Sequence, residues 1–236
     1  MRRAAALCLL ALLVTAQSTH AQEAASAPPD VPPGPGTIRG RVLHQEDAER
    51  SLSGVALVLY ALTRTGLAGA RHGVSDAEGR FSFEGVANDP TTPYLIGAEY
   101  QGVPYSGARV VFRPGERERE VEIRVAEVTG EALRVSVPLV RLHIDWRGNA
   151  VRVVDSLTIR NGSPRTVYIP AEARGTRPPA FRAHLPAGAE EFLMAQMQPE
   201  GVEQRGGEVA FWGPIYPGDQ DLSFSYLLPA SGERIE

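Results

Sequence analysis

The stretch Gly73 to Val86, GVSDAEGRFSFEGV, most constrains what this chain can fold into. It reads as strand, tight turn, strand. Asp76-Ala77-Glu78-Gly79 supplies the turn: an Asp side chain bonds backbone two residues on, and Gly accepts the positive φ at a turn's end. Phe81 and Phe83 alternate with Arg80, Ser82 and Glu84, so one face is apolar and the other wet. Two strands alone are marginal in water, and a hairpin here demands more of them. The spacing predicts them on both sides. Thr37 to Gln45 is one, with Ile38, Gly40 and Val42 on a shared face. Gly54 to Leu62 reads as a central strand, apolar on both faces. Tyr94 to Tyr100 and Gly107 to Phe112 follow. Val121, Ile123 and Val125 against Glu122 and Arg124 give the cleanest alternation. Loops are expected at Glu46 to Ser53, Thr63 to Ala70 and Asn88 to Pro93. The charge run Glu116 to Glu120 reads as a solvated turn.

The pattern then starts afresh. Ala126 to Val137, loosened by Thr129 and Gly130, reads as a junction. Val140, Leu142, Ile144 and Trp146 face one way; Arg141, His143, Asp145 and Arg147 face the other. Gly148-Asn149 turns the chain into Val151, Val153, Leu157 and Ile159. Asp155 falls on the apolar side of that alternation, so a bulge is expected near Val154. Asn161-Gly162 reads as a hairpin turn leading to Thr166 to Pro170. Ala171 to Pro179 is a loop, and Phe181 to Leu185 a strand. Glu190 to Met197 stays open between strand and one or two helical turns. Val209 to Trp212 and Leu222 to Leu228 close the set. The fold class is therefore all-β, two tandem β-sandwich domains over 37–128 and 133–230, the second immunoglobulin-like in the broad sense.

Composition agrees with many short strands: Gly 24 and Pro 19 in 236 residues, with 43% hydrophobic and 22% charged. Every basic residue is Arg. Residues 1–21 read as a signal peptide: Arg2-Arg3, an apolar Ala4 to Val14, and Thr19-His20-Ala21 before the cut. That apolar run is shorter than the roughly 20 residues a membrane span takes, and no later segment is long and apolar enough. Residues 22–36 read as a Pro-rich linker. Cleavage removes Cys8, the single cysteine, so the mature domain folds without disulfides or thiolate ligands. It also removes two Arg and no acid from a chain of net charge −4. An acidic chain is a poor partner for nucleic acid. The expected location is exported, periplasmic or extracellular.

The order GRV, GVALVLY, SDAEGRFSFEGV, YLIGAEYQGVPY and a last alternating strand resembles the carboxypeptidase regulatory-like domain. The resemblance covers Thr37 to Val128. It implies a transthyretin-like Greek-key β-sandwich, and a structural, adhesive or carbohydrate-binding-like accessory role rather than catalysis. The stretch GPIYPGDQDLSFSYLLP is similar to the closing strands of secreted bacterial β-sandwich domains. His20-Ala21-Gln22-Glu23 has the HxxE spacing of zinc carboxypeptidases but straddles the cleavage site. The Tyr-Arg-Gly-Ser ending of a transthyretin-like hydrolase family is missing.

Chemistry-bearing constellations are sparse. His44, His72, His143 and His184 are scattered, with no HExxH or His-x-His pair for a metal. Arg141, His143 and Asp145 share a strand face, which period-two geometry explains as a solvent face. Ser75-Asp76 belongs to a turn; GxSxG is absent. Asp76 and Glu78 are too few ligands for calcium. Asn161-Gly162-Ser163 matches a glycosylation acceptor but is better explained as a turn. The expectation is no catalytic residue, no metal and no cofactor. A binding role points to Trp212 and Tyr216, in Phe211 to Gly218, where Gly and Pro rigidify an aromatic loop. The other reading of that loop has Phe211 and Trp212 plugging the sandwich end, with Tyr216 bonded to nearby backbone. The function expected is a secreted, non-catalytic envelope module with a structural, adhesive or ligand-binding role, its partner an envelope protein or a glycan. The alternatives are an accessory subunit of an envelope assembly and a hydrolase with an unrecognised site.

Overall fold

In the computed structural model, which describes residues 28–50, 52–107, 109–195 and 201–229, the Asp76 turn forms as its residues dictate. Asp76 Oδ1 accepts from the backbone N–H groups of Glu78 (3.0 Å) and Arg80 (2.7 Å), and Gly79 takes φ +76°. The turn does not close a hairpin. β3 (Gly66–Val74) before it lies in a four-stranded sheet of order β3-β2-β5-β6, with β2 (Ala56–Thr63), β5 (Tyr94–Tyr100) and β6 (Val103–Ser106). β4 (Arg80–Val86) after it lies in a three-stranded sheet of order β4-β1-β7, with β1 (Pro33–His44) and β7 (Glu118–Val125). The expected hairpin is a corner between two layers. Ser75 explains it: the residue is 4% exposed, and its hydroxyl bonds the Leu52 carbonyl and the Val55 N–H. That bond ties the end of β3 to the chain entering β2. Phe81 and Phe83 then place β4 on the opposite layer, against the same core as Leu57 and Leu59.

Alternation holds through this first half. Ile38, Leu59, Ile96 and Ile123 are fully buried, while Arg80, Ser82 and Glu84 face water. β3 starts inside the stretch expected to be a loop, and β6 stands before the strand expected over Gly107 to Phe112. Val110 there makes only an isolated bridge to Tyr94, although Val110 and Phe112 are buried. The Pro-rich stretch is not a free linker from Pro29 onward. Pro29 O accepts from Ala70 N–H (2.8 Å), Asp30 clasps Arg71 through two bonds of 2.8 Å, and Val31 is 2% exposed in the core. β1 itself begins at Pro33. The segment lies over the β3 edge of the sheet. The residues read as a signal peptide lie outside the described residues.

Among the described residues of the second half the regular structure is β apart from one 3-10 turn, Ala171–Ala173. Its larger sheet has the order β13-β16-β10-β9, built from β9 (Val135–Arg147), β10 (Ala150–Asn161), β13 (Glu190–Ala195) and β16 (Gly218–Pro229). β12 (Phe181–His184), β15 (Glu208–Phe211) and β14 (Val202–Arg205) form a three-stranded sheet that shares its core. Val151, Val153, Phe211, Phe224 and Tyr226 fill that core, with Phe181 stacked on Phe211 at 4.0 Å. Glu190–Ala195 is strand, not helix; residues 196–197 of that stretch lie outside the described residues. No bulge forms near Val154: β10 keeps unbroken register from Ala150 to Thr158 against both neighbours, and the shift falls between Thr158 and Arg160. Asp155 therefore keeps its inward place between Leu142 and Phe224, and burial raises its pKa. Asn161-Gly162 is not a hairpin turn either. The Asn161 amide is 2% exposed and donates to the carbonyls of Arg165 (2.7 Å) and Ile215 (3.0 Å). β11 (Thr166–Val167) pairs in parallel with β8 (Val128–Thr129) rather than folding back on β10. The chain is all-β, in layered sheets around two hydrophobic cores.

Candidate functional site

The aromatic loop after β15 is used inside the molecule. Trp212 is 6% exposed and packs with Ile169 and Ala210, its ring under the Arg174 guanidinium at 5.3 Å. A cation over an indole face is attractive and leaves that face unavailable to a ligand. Gly213 follows at φ +95°, where a Cβ would meet Val167 O at 2.3 Å. The chain thus passes too close to β11 for any side chain there. Tyr216 reaches the first half: its hydroxyl donates to the Pro104 carbonyl on β6, and its ring meets Tyr105 edge-on at 5.4 Å. Burial pushes the Tyr216 phenol up to about 12. Tyr105 bonds the Ala126 carbonyl (2.8 Å) and the Thr166 hydroxyl (2.9 Å). Trp212 is thus buried and Tyr216 half-buried, with Tyr216 also lining a surface depression beside Gln45, Tyr105 and Pro217. Trp212 closes a small cluster with Ile169 and Ala210, and Tyr216 packs the second half against the first core. The sequence could not name Pro104 or Tyr105 as the partners, because they lie more than 100 residues from Tyr216 in the chain.

A buried histidine beside a carboxylate lies near the same seam. His44 is 4% exposed, with Nε2 3.6 Å from Glu127 Oε1. Glu127 is taken up by Gln101 (2.8 Å), Arg50 (2.5 Å) and Tyr100 (3.1 Å). Those hydrogen bonds, that of Gln101 first, lower its carboxyl to about 2. A carboxylate held so low is a poor proton acceptor at neutral pH. No serine or cysteine joins the cluster among the described residues, so it reads as a clamp on the segment leading to β8. A surface depression of about 400 Å³ over β1, β4 and β7 is lined by Arg39, Arg41, Arg80, Phe81, Glu120 and Glu122, with no histidine, serine or cysteine. Among the described residues there is no group of three metal-ligating side chains, and no helix long and apolar enough to cross a membrane.

The surface that stands apart is β9. It is the edge of its sheet, runs for 13 residues, and is paired only with β10. Gly148, at φ +64°, opens a two-residue turn that makes Arg147 and Ala150 opposite partners. Residues flanking such a turn exchange hydrogen bonds, and the bonding alternates along the strand. Arg147, Asp145, His143 and Arg141 therefore bond β10. Trp146, Ile144, Leu142 and Val140 direct their N–H and C=O groups to the free edge. The same four residues carry the apolar face, in line with the core residues Val151, Val153 and Leu157 of β10. Yet Val140 is 50% exposed, Leu142 62%, Ile144 59% and Trp146 61%. The facing sheet, only three strands wide, stops short of them. Arg141, His143 and Asp145 line the other, wet face, as a solvent face would. The alternation in β9 was legible in the sequence; that no segment among the described residues covers it was not.

No family model matches this chain, and no curated protein matches it in sequence. Among solved structures it is similar to the full-length major pilin SpaD of Corynebacterium diphtheriae, 8% identical over 82% of this chain and 56% of that one, with a TM-score of 0.32. The major pilin SpaA of the same organism is 12% identical over 84% of this chain and 59% of that one, at 0.27. BcpA, the major pilin subunit of Bacillus cereus, is 9% identical over 84% and 60%, at 0.23. The chain spans less than two thirds of each of these. Likeness at this level assigns neither a fold family nor a function.

Proposed function

We propose that this chain is an exported, non-catalytic assembly module that takes up a protein partner by strand addition along β9. The single observation that carries this reading is the edge itself: a long strand with unpaired backbone groups and an uncovered apolar face. Soluble proteins blunt such edges with charge, Pro or bulges, because an open edge is a template for another chain; on β9 Pro138 and the register shift blunt only its first part and leave Val140 to Trp146 open. Strand addition gives affinity through main-chain bonds and selectivity through alternate side chains. The signal-like start supports export, and the resemblance to the carboxypeptidase regulatory-like domain supports an accessory rather than a catalytic role. Trp212 and Tyr216 carry internal contacts, whereas β9 offers both free backbone groups and apolar side chains.

The test is the native mass of the chain extracted from the envelope of cells that export it. The wild type is expected in a complex larger than one chain. Leu142→Lys with Ile144→Lys should release it as a monomer with unchanged circular dichroism. A wild type that is monomeric in the extract, with freely exchanging amides at Val140, Leu142, Ile144 and Trp146, overturns the reading.

A further inference from the structure

We infer that the occupant of the β9 edge is a second copy of this chain, paired antiparallel about a two-fold axis at His143; this rests on the strand-addition reading above. Antiparallel strands can meet only where both offer outward N–H and C=O groups. On β9 those are Val140, Leu142, Ile144 and Trp146. An axis at His143 sets Leu142 opposite Ile144 of the other copy, and Val140 opposite Trp146. That gives about eight backbone hydrogen bonds across the axis. Directly opposite residues also share a face. The four apolar side chains of each copy then form one stripe, and the wet faces meet on the other side.

Charge selects this register over its neighbours. With the axis at His143, Arg141 of each copy stands opposite Asp145 of the other, twice. Opposite charges so placed attract, and like charges repel. Moving the axis to Ile144 sets Arg141 against Arg147. Moving it to Leu142 sets Asp145 against Leu139. Arg141 has no ion-pair partner of its own among the described residues, while Asp145 already meets Arg147 at 3.0 Å. A second guanidinium on Asp145 completes a small network. Pro138 and the register shift between Thr158 and Arg160 end the regular part of the strand, so pairing is confined to the self-complementary stretch.

The other edge of the same sheet, the six-residue β13, is a worse mate. β13 is irregular, with Glu191 at φ +50° and a register shift between Glu190 and Leu193. Head-to-tail pairing of β9 with β13 would also build open filaments rather than a closed dimer. Such a pairing rests on one strand stretch rather than on a large apolar interface. The dimer is therefore concentration-dependent.

The experiment uses the purified exported chain, which after signal cleavage has no cysteine. His143→Cys places two thiols across the axis in a non-hydrogen-bonded pair, about 4.5 Å apart at Cα, inside disulfide range. Arg141→Cys places its two thiols about 13 Å apart along the strands. Under mild oxidation His143→Cys should give a covalent dimer of doubled mass. Arg141→Cys alone should not, but mixed with Asp145→Cys it should. Leu142→Lys with Ile144→Lys in the His143→Cys background should abolish the link. Equal linking at 141 and 143, filaments, or a chain that stays monomeric and unlinked at high concentration overturns the inference. If the chain alone stays monomeric while the complex from the envelope still depends on Leu142 and Ile144, the self-pairing fails and the strand-addition reading stands.

Discussion

β7 and β9 carry the same kind of sequence and meet opposite fates. Each is an edge strand, with charged residues alternating against apolar ones. On β7, Ile123 and Val125 are fully buried; on β9, Ile144 and Trp146 are about 60% exposed. The difference lies across the core. In the first half β7 belongs to the narrower sheet, so the four-stranded sheet opposite covers it. The wider sheet's own edges are covered in turn: β3 by Pro29 to Val31, and β6 by Tyr216 with Tyr168 against the same core. In the second half the wider sheet carries β9 past a three-stranded partner, and no segment among the described residues lies over it. Alternation encodes a face. Whether the face has a cover depends on how many strands the facing sheet contains.

The two tryptophans give the strongest way to break this comparison. Trp212→Ala should destabilise by about 3–5 kcal/mol, the usual range for a buried large aromatic. Trp146→Ala should stay within about 0.5 kcal/mol, as for a surface site. Urea unfolding at low protein concentration, below any pairing along β9, measures both. A large loss at Trp146 would mean that the chain itself covers β9.

Ile123→Ala and Ile144→Ala put the two edge strands side by side. The first should lose about 2–5 kcal/mol through its cavity; the second should be nearly silent in the same melt. Equal losses would erase the contrast between covered and open edges.

Tyr216→Phe sharpens the part played by the seam. It removes the donor to the Pro104 carbonyl and leaves that acceptor without its bond, a loss of about 1–2 kcal/mol. The melts of the two halves, followed by Trp fluorescence and far-ultraviolet circular dichroism, should separate. An unchanged single transition would mean that Tyr216 does not couple them.

The smallest effect concerns acid. Glu127 titrates near 2 when folded, below its ordinary value of 4.5. Its contribution to stability is therefore present above about 4.5 and fades as pH falls toward 2. Glu127→Gln should lower the melting temperature slightly at pH 7 and flatten its fall across that window. A variant that tracks the wild type at every pH would show that the clamp on the β8 segment contributes nothing.

Much of the fold was legible because it is local. Phe81 and Phe83 declare a buried face by period two, and Leu222, Phe224, Tyr226 and Leu228 do the same on β16. The turn at Asp76 was legible as a turn, because Asp and Gly solve it with their own atoms. That it is a corner was not, since the same residues serve a hairpin and only Ser75's bonds to Leu52 and Val55 send β3 and β4 to different layers. Asn161 misled for the same reason. Its side chain, which suits a two-residue turn, instead satisfies carbonyls four and 54 residues away. The loop with Trp212 and Tyr216 was recognisable as aromatic and stiff, but its contacts are long-range and left no mark in local spacing.

Most of the strands, their inward and outward residues and the acidic charge were legible from the residues alone, because each depends on neighbours within a few positions; β6, and the lone bridge where a strand was expected over Gly107 to Phe112, were not. Only the packed structure shows which strands pair, where Pro29 to Val31 docks, how Tyr216 reaches the first core, and that no described segment covers β9. Those outcomes depend on how far each sheet extends past the other, a property of the whole packed chain that no window of residues contains.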